Sequence, residues 1–138
     1  MKQTDISEWF KEHDIEEIEV IVPDMAGVAR GKMLPAEKFL EQSTMRLPES
    51  VFTQTVTGEF LSEPVINPAD RDILVRPDLD TLRRLPWAKD PAATVINDCY
   101  YEDGSAVDIS PRQVLRNVLK AYEALNMVPI VAPELEFY

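Results

Sequence analysis

Apolar residues recur along this chain at two spacings that take turns. From Thr4 to His13 they fall at Ile6, Trp9 and Phe10, one face of a short helix, with Asp5 and Glu8 set as a capping box. Over 16–22, E-E-I-E-V-I-V alternates Ile18, Val20 and Val22 with Glu17, Glu19 and Ile21, which predicts a half-buried strand. Turn chemistry follows from Pro23 to Gly27, so V-A-R-G-K-M-L at 28–34 is expected to return as its hairpin partner. Pro35 opens a second helix, P-A-E-K-F-L-E-Q, with Phe39 and Leu40 facing inward.

Beyond it, the β-branched run V-F-T-Q-T-V-T at 51–57 predicts a strand or extended segment, ended by Gly58. Pro64, Pro68, Pro77 and Pro86 punctuate residues 60–90, where an irregular excursion is expected around one extended run, D-I-L-V-R at 72–76. A hairpin follows: A-T-V-I-N-D-C-Y-Y at 93–101, the turn E-D-G-S, then A-V-D-I at 106–109. Two strands, a helix and further strands predict an α+β domain with antiparallel pairing and one helix crossing the sheet, the β-grasp arrangement.

The register changes at S-P-R-Q, 110–113. Ser110 is placed as an N-cap, Pro111 as the first helical residue and Gln113 as the return half of a capping box. Val114, Leu115, Val118, Leu119, Tyr122 and Leu125 form one stripe, and Asn126 suits the left-handed residue that closes a helix. The remaining M-V-P-I-V-A-P-E-L-E-F-Y reads as a strand over 128–138 whose Val131, Leu135 and Phe137 have no later element to pack against. The pattern is that of an N-terminal piece of something longer, and the isolated piece is expected either to self-associate through the exposed strand or to leave that strand poorly ordered.

Composition narrows the function classes. The 138 residues carry 25 acidic against 14 basic side chains, a net charge of −11, which disfavours nucleic acid, whose affinity comes from cations neutralising phosphates. No run approaches the roughly 20 apolar residues of a membrane helix, and the N-terminus lacks a signal-like apolar core, so a cytoplasmic protein is expected. Cys99 is the single cysteine, read as a small buried hydrophobe rather than a reactive thiol because nothing basic flanks it. His13 reads as a helix surface residue, and Arg30 and Lys32 either as charges guarding an edge strand or as partners for a phosphate or carboxylate across a subunit boundary.

The terminal A-P-E-L-E-F-Y carries the clearest candidate chemistry. On a strand, Glu134 and Glu136 share one face about 7 Å apart at their Cα atoms, while Pro133, Leu135 and Phe137 share the other. Two carboxylates are the oxygen donors that Mg²⁺ and Mn²⁺ select, and the spacing could serve one ion or a pair. A solvated strand face produces the same pattern, and two ligands do not complete a site.

Several stretches together resemble the glutamine synthetase family, and within it the γ-glutamylpolyamine (γ-glutamylputrescine) synthetase-like branch. They are P-D-M-A-G-V-A-R-G-K, D-I-L-V-R-P-D-L-D-T-L-R-R-L-P-W, N-D-C-Y-Y-E-D-G, S-P-R-Q-V-L-R-N-V-L and A-P-E-L-E-F-Y. The resemblance implies a β-grasp N-terminal domain over 1–108, followed over 109–138 by the first helix and strand of a catalytic domain. It implies that Glu134 and Glu136 match an E-x-E strand ligating two Mg²⁺ or Mn²⁺ ions beside ATP and L-glutamate. It implies ATP-dependent ligation through a γ-glutamyl phosphate, in a homo-oligomer of two stacked hexameric rings whose active sites join the N-terminal domain of one subunit to the catalytic domain of the next.

One departure bears on the substrate. Family members that use ammonia carry an Asp-Gly-Ser-Ser run whose Asp helps hold ammonium; here the corresponding stretch reads Thr53-Gln54-Thr55-Val56. Without that anion, an amine or polyamine larger than ammonia is the expected nucleophile, with Thr53, Gln54 and Thr55 facing it. An ordinary glutamate–ammonia ligase is the alternative within the class. Outside it stands a non-catalytic β-grasp interaction module whose 53–59 segment pairs with a partner strand. No catalytic residue is expected within these 138 residues, which alone should be inactive.

Overall fold

A computed structural model describes residues 3–60 and 69–136 of the chain. The first apolar stripe is helix α1, Gln3–Glu12, which buries Ile6 and Phe10 and packs Trp9 against the same core. Because α1 begins at Gln3, Asp5 sits inside its first turn, where a carboxylate suits the positive end of the helix, and not at the cap.

Strand β1, Glu17–Pro23, alternates as its sequence requires, burying Ile18, Val20 and Val22. It pairs antiparallel with β2, Ala29–Pro35, an exposed edge strand. The two backbones approach so closely at Gly31 that a Cβ there would lie 1.9 Å from the Val20 carbonyl oxygen. Helix α2, Ala36–Glu41, starts one residue later than expected, with Pro35 as its extended cap, and buries Phe39.

The remaining strands are β3, Met45–Pro48; β4, Asp72–Pro77; β5, Arg83–Arg84; and β6, Ala92–Tyr100. The sheet runs β2-β1-β6-β4-β3, with β5 also pairing to β6. β6 lies parallel to β1 from Glu17↔Ala92 to Ile21↔Ile96, then pairs antiparallel with β4 through Leu74↔Tyr100. The antiparallel pairing expected holds for every strand pair but β1–β6, which is parallel: a parallel neighbour needs a long crossover, and the chain between β1 and β6 supplies it. The α+β class stands, and a parallel first–last pair is a feature of the β-grasp arrangement.

Two cores sit along the sheet. One gathers Ile6, Phe10, Ile18, Val20, Phe39, Ala93 and Val95 beneath α1 and α2. The other gathers Val22, Leu47, Val51, Phe52, Ile73, Val75, Cys99 and Val107. β1 and β6 cross from one to the other, so the pair ties both together.

Residues 51–57 are not a strand. Glu49–Phe52 is a 3-10 turn with all four residues buried, and adjacent burial of Val51 and Phe52 is a geometry that a strand, facing alternate ways, cannot supply. Pro48 ends β3 in front of it, and Asp70 accepts from both the amide (2.9 Å) and the hydroxyl (2.8 Å) of Ser50. Residues 106–109 return from the Gly104 turn as a single bridge, Tyr100↔Ala106, with Val107 buried.

Helix α3, Pro111–Ala124, begins where its sequence directs, but its capping box does not form. Gln113 turns to Asn117 (Nε2 to Oδ1, 2.8 Å), and the buried Ser110 hydroxyl has no partner among the described residues. Asn126 closes the helix with φ +54° as anticipated. Residues 128–136 form no strand and are exposed but for the part-buried Pro129. The sheet partner that would make this segment a strand is not among the described residues; Phe137, Pro64 and Pro68, singled out above, lie outside them.

Candidate functional site

Thr53, Gln54 and Thr55 leave the 3-10 turn as one loop. The Thr53 amide (2.9 Å) and hydroxyl (3.2 Å) both donate to the Ser50 carbonyl. The Thr55 amide donates to the Glu59 carbonyl (2.9 Å), the Gly58 amide to the Thr55 carbonyl (2.9 Å) and the Glu59 amide to the Thr55 hydroxyl (3.0 Å). Gly58 takes φ +86°, a left-handed conformation that glycine adopts without strain. This closed turn leaves no open strand edge, which corrects the expectation that 53–59 could pair with a partner strand.

The loop is tied to the β1–β2 turn by one side chain. Arg30 donates from Nε to Asp24 Oδ2 (2.7 Å) and from Nη2 to the Thr55 carbonyl (2.7 Å). Asp24 is buried and also accepts from the amides of Ala26 (2.9 Å) and Val28 (2.8 Å). Burial pushes its pKa up, but the Arg30 hydrogen bond and the two amides outweigh this and hold it below 3.8. Arg30 is thereby committed inside its own chain, and Lys32 reaches the Arg46 carbonyl (3.3 Å). The reading of Arg30 as a partner for an external phosphate gives way to this internal role.

What the loop offers outward is mixed, apolar at Val56 and Phe60 and acidic at Glu59. Gln54 makes no hydrogen bond to another described residue, Val56 and Phe60 are exposed, and Glu59 presents a carboxylate near the Thr57 hydroxyl (3.5 Å). Glu59 lies beyond the Thr53–Val56 stretch in sequence, and the turn brings it back beside Thr55.

Glu134 and Glu136 lie in the exposed terminal segment. Their oxygen donors fit a hard divalent cation in type. They do not fit in number, since among the described residues no group of three or more His, Cys, Asp and Glu is placed to hold a metal ion.

The link between sheet and terminal segment is electrostatic. Arg112 donates from Nε to Asp98 (2.9 Å) and from Nη2 to Asp78, and Arg116 pairs with Asp98 (2.5 Å) and Asp78 (3.7 Å). One face of α3 is held in this way, while Val114, Leu115, Val118, Leu119, Tyr122 and Leu125 remain exposed on the rest of the helix.

Elsewhere, the buried Glu49 accepts from Arg71 Nε (2.9 Å) and Nη2 (3.3 Å) and from the Tyr101 hydroxyl (2.7 Å), and the Arg71 hydrogen bond lowers its pKa despite burial. His13 stacks on Trp9 with its Nδ1 2.8 Å from the Trp9 carbonyl oxygen, a helix-end contact rather than a ligand. Cys99 is buried, and that burial pushes its thiol up to about 12, as suits an inert core residue. Among the described residues no helix is long and apolar enough to cross a membrane.

This architecture and sequence have known counterparts. No protein-family model matches the chain. Over 139 aligned residues it is 30% identical to a glutamate–isopropylamine ligase of a Pseudomonas species, covering 96% of this chain and 30% of the relative. Over 135 residues it is 34% identical to the gamma-glutamylethanolamide synthetase of Streptomyces coelicolor, covering 90% of this chain and 28% of the relative. The solved GmaS/ADP complex superposes with a TM-score of 0.67 at 26% identity, over 88% of this chain and 26% of that one. The gamma-glutamylputrescine synthetase of Escherichia coli and several proteins named glutamine synthetase are further relatives.

The homologues of this chain are thus members of the glutamine synthetase family, including ligases that join glutamate to amines. The chain spans less than a third of the length of the curated relatives it matches, 30% and 28% for the two aligned above.

Proposed function

We propose that this chain is the N-terminal part of an ATP-dependent glutamate–amine ligase. Residues 1–108 are its small β-grasp domain, and 109–138 begin the catalytic unit, joined through α3. The observation that carries the reading is the alignment of 90% or more of the chain with two ligases whose names specify an amine.

In the proposed reaction a glutamate γ-carboxylate oxygen attacks the terminal phosphorus of ATP and ADP leaves. The amine nitrogen then attacks the acyl phosphate carbon, phosphate departs with the C–O bonding pair, and the nitrogen loses a proton. Thr53, Gln54 and Thr55 are the residues proposed to face the amine, with Glu59 beside them to favour its cationic form on approach. Glu134 and Glu136 would supply part of the coordination of Mg²⁺ or Mn²⁺, which when bound draws charge from a phosphoryl group. The other ligands, the ATP and glutamate sites and the neighbouring subunit are proposed to come from the rest of a longer protein and its assembly.

A second reading, glutamate–ammonia ligase, is supported by the relatives named glutamine synthetase. Phosphate release by the full-length protein decides between them, measured with glutamate, ATP and in turn ammonium, isopropylamine, ethanolamine and putrescine. A kcat/KM highest for an alkyl amine supports the leading reading, one highest for ammonium the second, and no glutamate-dependent release with any of them overturns both. Calorimetric titration of Mn²⁺ into full-length protein should lose affinity in Glu134→Ala and Glu136→Ala; unchanged binding in both removes them from the metal site.

A further inference from the structure

We propose that Arg30 is a positioning residue for the amine: a strut that fixes the Thr55 main chain and, through it, the side chains of Thr53 and Gln54. This rests on the reading of 53–55 as amine-facing.

The argument begins at Asp24. Its carboxylate is buried and held by two amides of its own turn, so it is a fixed point and not a mobile counter-ion. Arg30 leaves an edge strand, yet its side chain is only 18% exposed, against 52% for Arg46, because it lies along the molecule between Asp24 and the loop. Its guanidinium donates to two separate acceptors, Nε to Asp24 and Nη2 to the Thr55 carbonyl, both at 2.7 Å. A guanidinium is rigid and planar, so fixing Nε fixes where Nη2 sits.

The Thr55 carbonyl is also the acceptor on which the turn closes, through the Gly58 amide at 2.9 Å. Arg30 therefore grips the loop at a carbonyl that also closes the turn, and a shift there moves Gln54 on one side and Glu59 on the other. The Gly58 position repeats the constraint: a Cβ at that residue would meet Arg30 Nη1 at 3.7 Å, so the guanidinium lies directly against the turn. Lysine keeps the charge but replaces the rigid two-nitrogen fork by one nitrogen on a flexible four-carbon stem, so it does not fix the two acceptors relative to one another.

The test uses the full-length enzyme. Arg30→Lys should raise the amine KM about tenfold, the scale expected when a positioned group drifts by a fraction of an ångström, with kcat and the KM for glutamate and ATP within about twofold. Hydrogen exchange at the Gly58 and Glu59 amides should quicken in the same variant. Arg30→Ala should show the same KM effect, and guanidinium ion in the buffer should partly reverse it, a rescue that general destabilisation would not give. Should Arg30→Lys fail to fold, Arg30→Gln is read by the same criteria.

Faster exchange with an unchanged amine KM overturns the proposal, as does unchanged exchange. Gln54→Ala separates this from the underlying reading. If Gln54→Ala raises the amine KM and Arg30→Lys does not, the strut fails and the amine-facing loop stands. If Gln54→Ala and Thr53→Ala both leave the amine KM unmoved, the loop reading fails and the strut with it.

Discussion

Replacing Asp98 by Asn tests whether charge holds α3 to the sheet. No residue of α3 is buried, and Arg112 and Arg116 join it to Asp98 and Asp78. Charge-assisted hydrogen bonds contribute roughly 1.5–3 kcal/mol each, whereas exposed ion pairs contribute about 0.2–1 kcal/mol. Asp98 is only 15% exposed while its partners are 22% and 39% exposed, which places the network between those limits. With Asp78 still paired in the variant, the net loss is about 2 kcal/mol, on the order of 30-fold in the docking equilibrium. An undocked helix of 14 residues is marginal in water, so its amides should exchange about 30-fold faster while those of β1 and β6 keep their rates. Raising salt to about 1 M should reproduce part of this in the native chain, because screening then acts within about 3 Å.

Acid gives a second readout of the same network. Burial raises the Asp98 pKa, but the hydrogen bonds from Arg116 and Arg112 outweigh it and leave the value below 3.8. Since the folded value lies below the unfolded one, the contribution is complete above about pH 4 and is lost as pH falls through the depressed value. Protection of α3 should therefore persist at pH 5 and fail in stronger acid. Exchange in α3 that stays within about threefold of the native rate in Asp98→Asn, or a rise spread evenly over the sheet, would refute this reasoning.

Further outcomes follow from the packing. Phe52→Ala empties a fully buried position and should cost about 3–5 kcal/mol, read as a lower urea midpoint at unchanged slope. Gly31→Ala forces a methyl against the Val20 carbonyl and should abolish protection across the β1–β2 pair; native-like exchange there would contradict the close approach. Cys99 should resist alkylation at pH 8 until the chain unfolds, because burial holds the thiol up at about 12. With Val128, Ile130, Val131 and Leu135 each at least 85% exposed, the isolated chain should sediment as self-associated species, and a monomer at high concentration would refute that.

Where burial followed a simple period, the sequence was legible. The i,i+4 pair Ile6 and Phe10, the alternation of Ile18, Val20 and Val22, and the Asn126 cap all appear as expected. What escaped notice depends on contacts distant in sequence. The strand or extended segment expected at 51–57 gives way to a 3-10 turn at Val51 and Phe52, because β-branching and aromaticity do not reveal that Asp70, some 20 residues away, fixes Ser50. Strand β3 is short, ends in Pro48 and buries only Leu47, too little for periodicity to mark. Of the candidate site, Thr53–Thr55 was proposed through family likeness alone; the contact of Arg30 with Thr55 has no local signal, because 25 residues separate them. Asp78 and Asp98, far apart in sequence, meet only because folding sets both against Arg112 and Arg116 of α3.

The parallel contact between β1 and β6 sets an order of events during synthesis. Residues 17–21 cannot find their neighbours at 92–96 until nearly a hundred residues have been made, so the early β1–β2 ribbon waits with one side unpaired. A nascent chain stalled before Ala92 should therefore be sensitive to proteases and attractive to chaperones. Release of a few residues past Tyr100 should change that abruptly, as the last strand slots between its two neighbours and both cores close together.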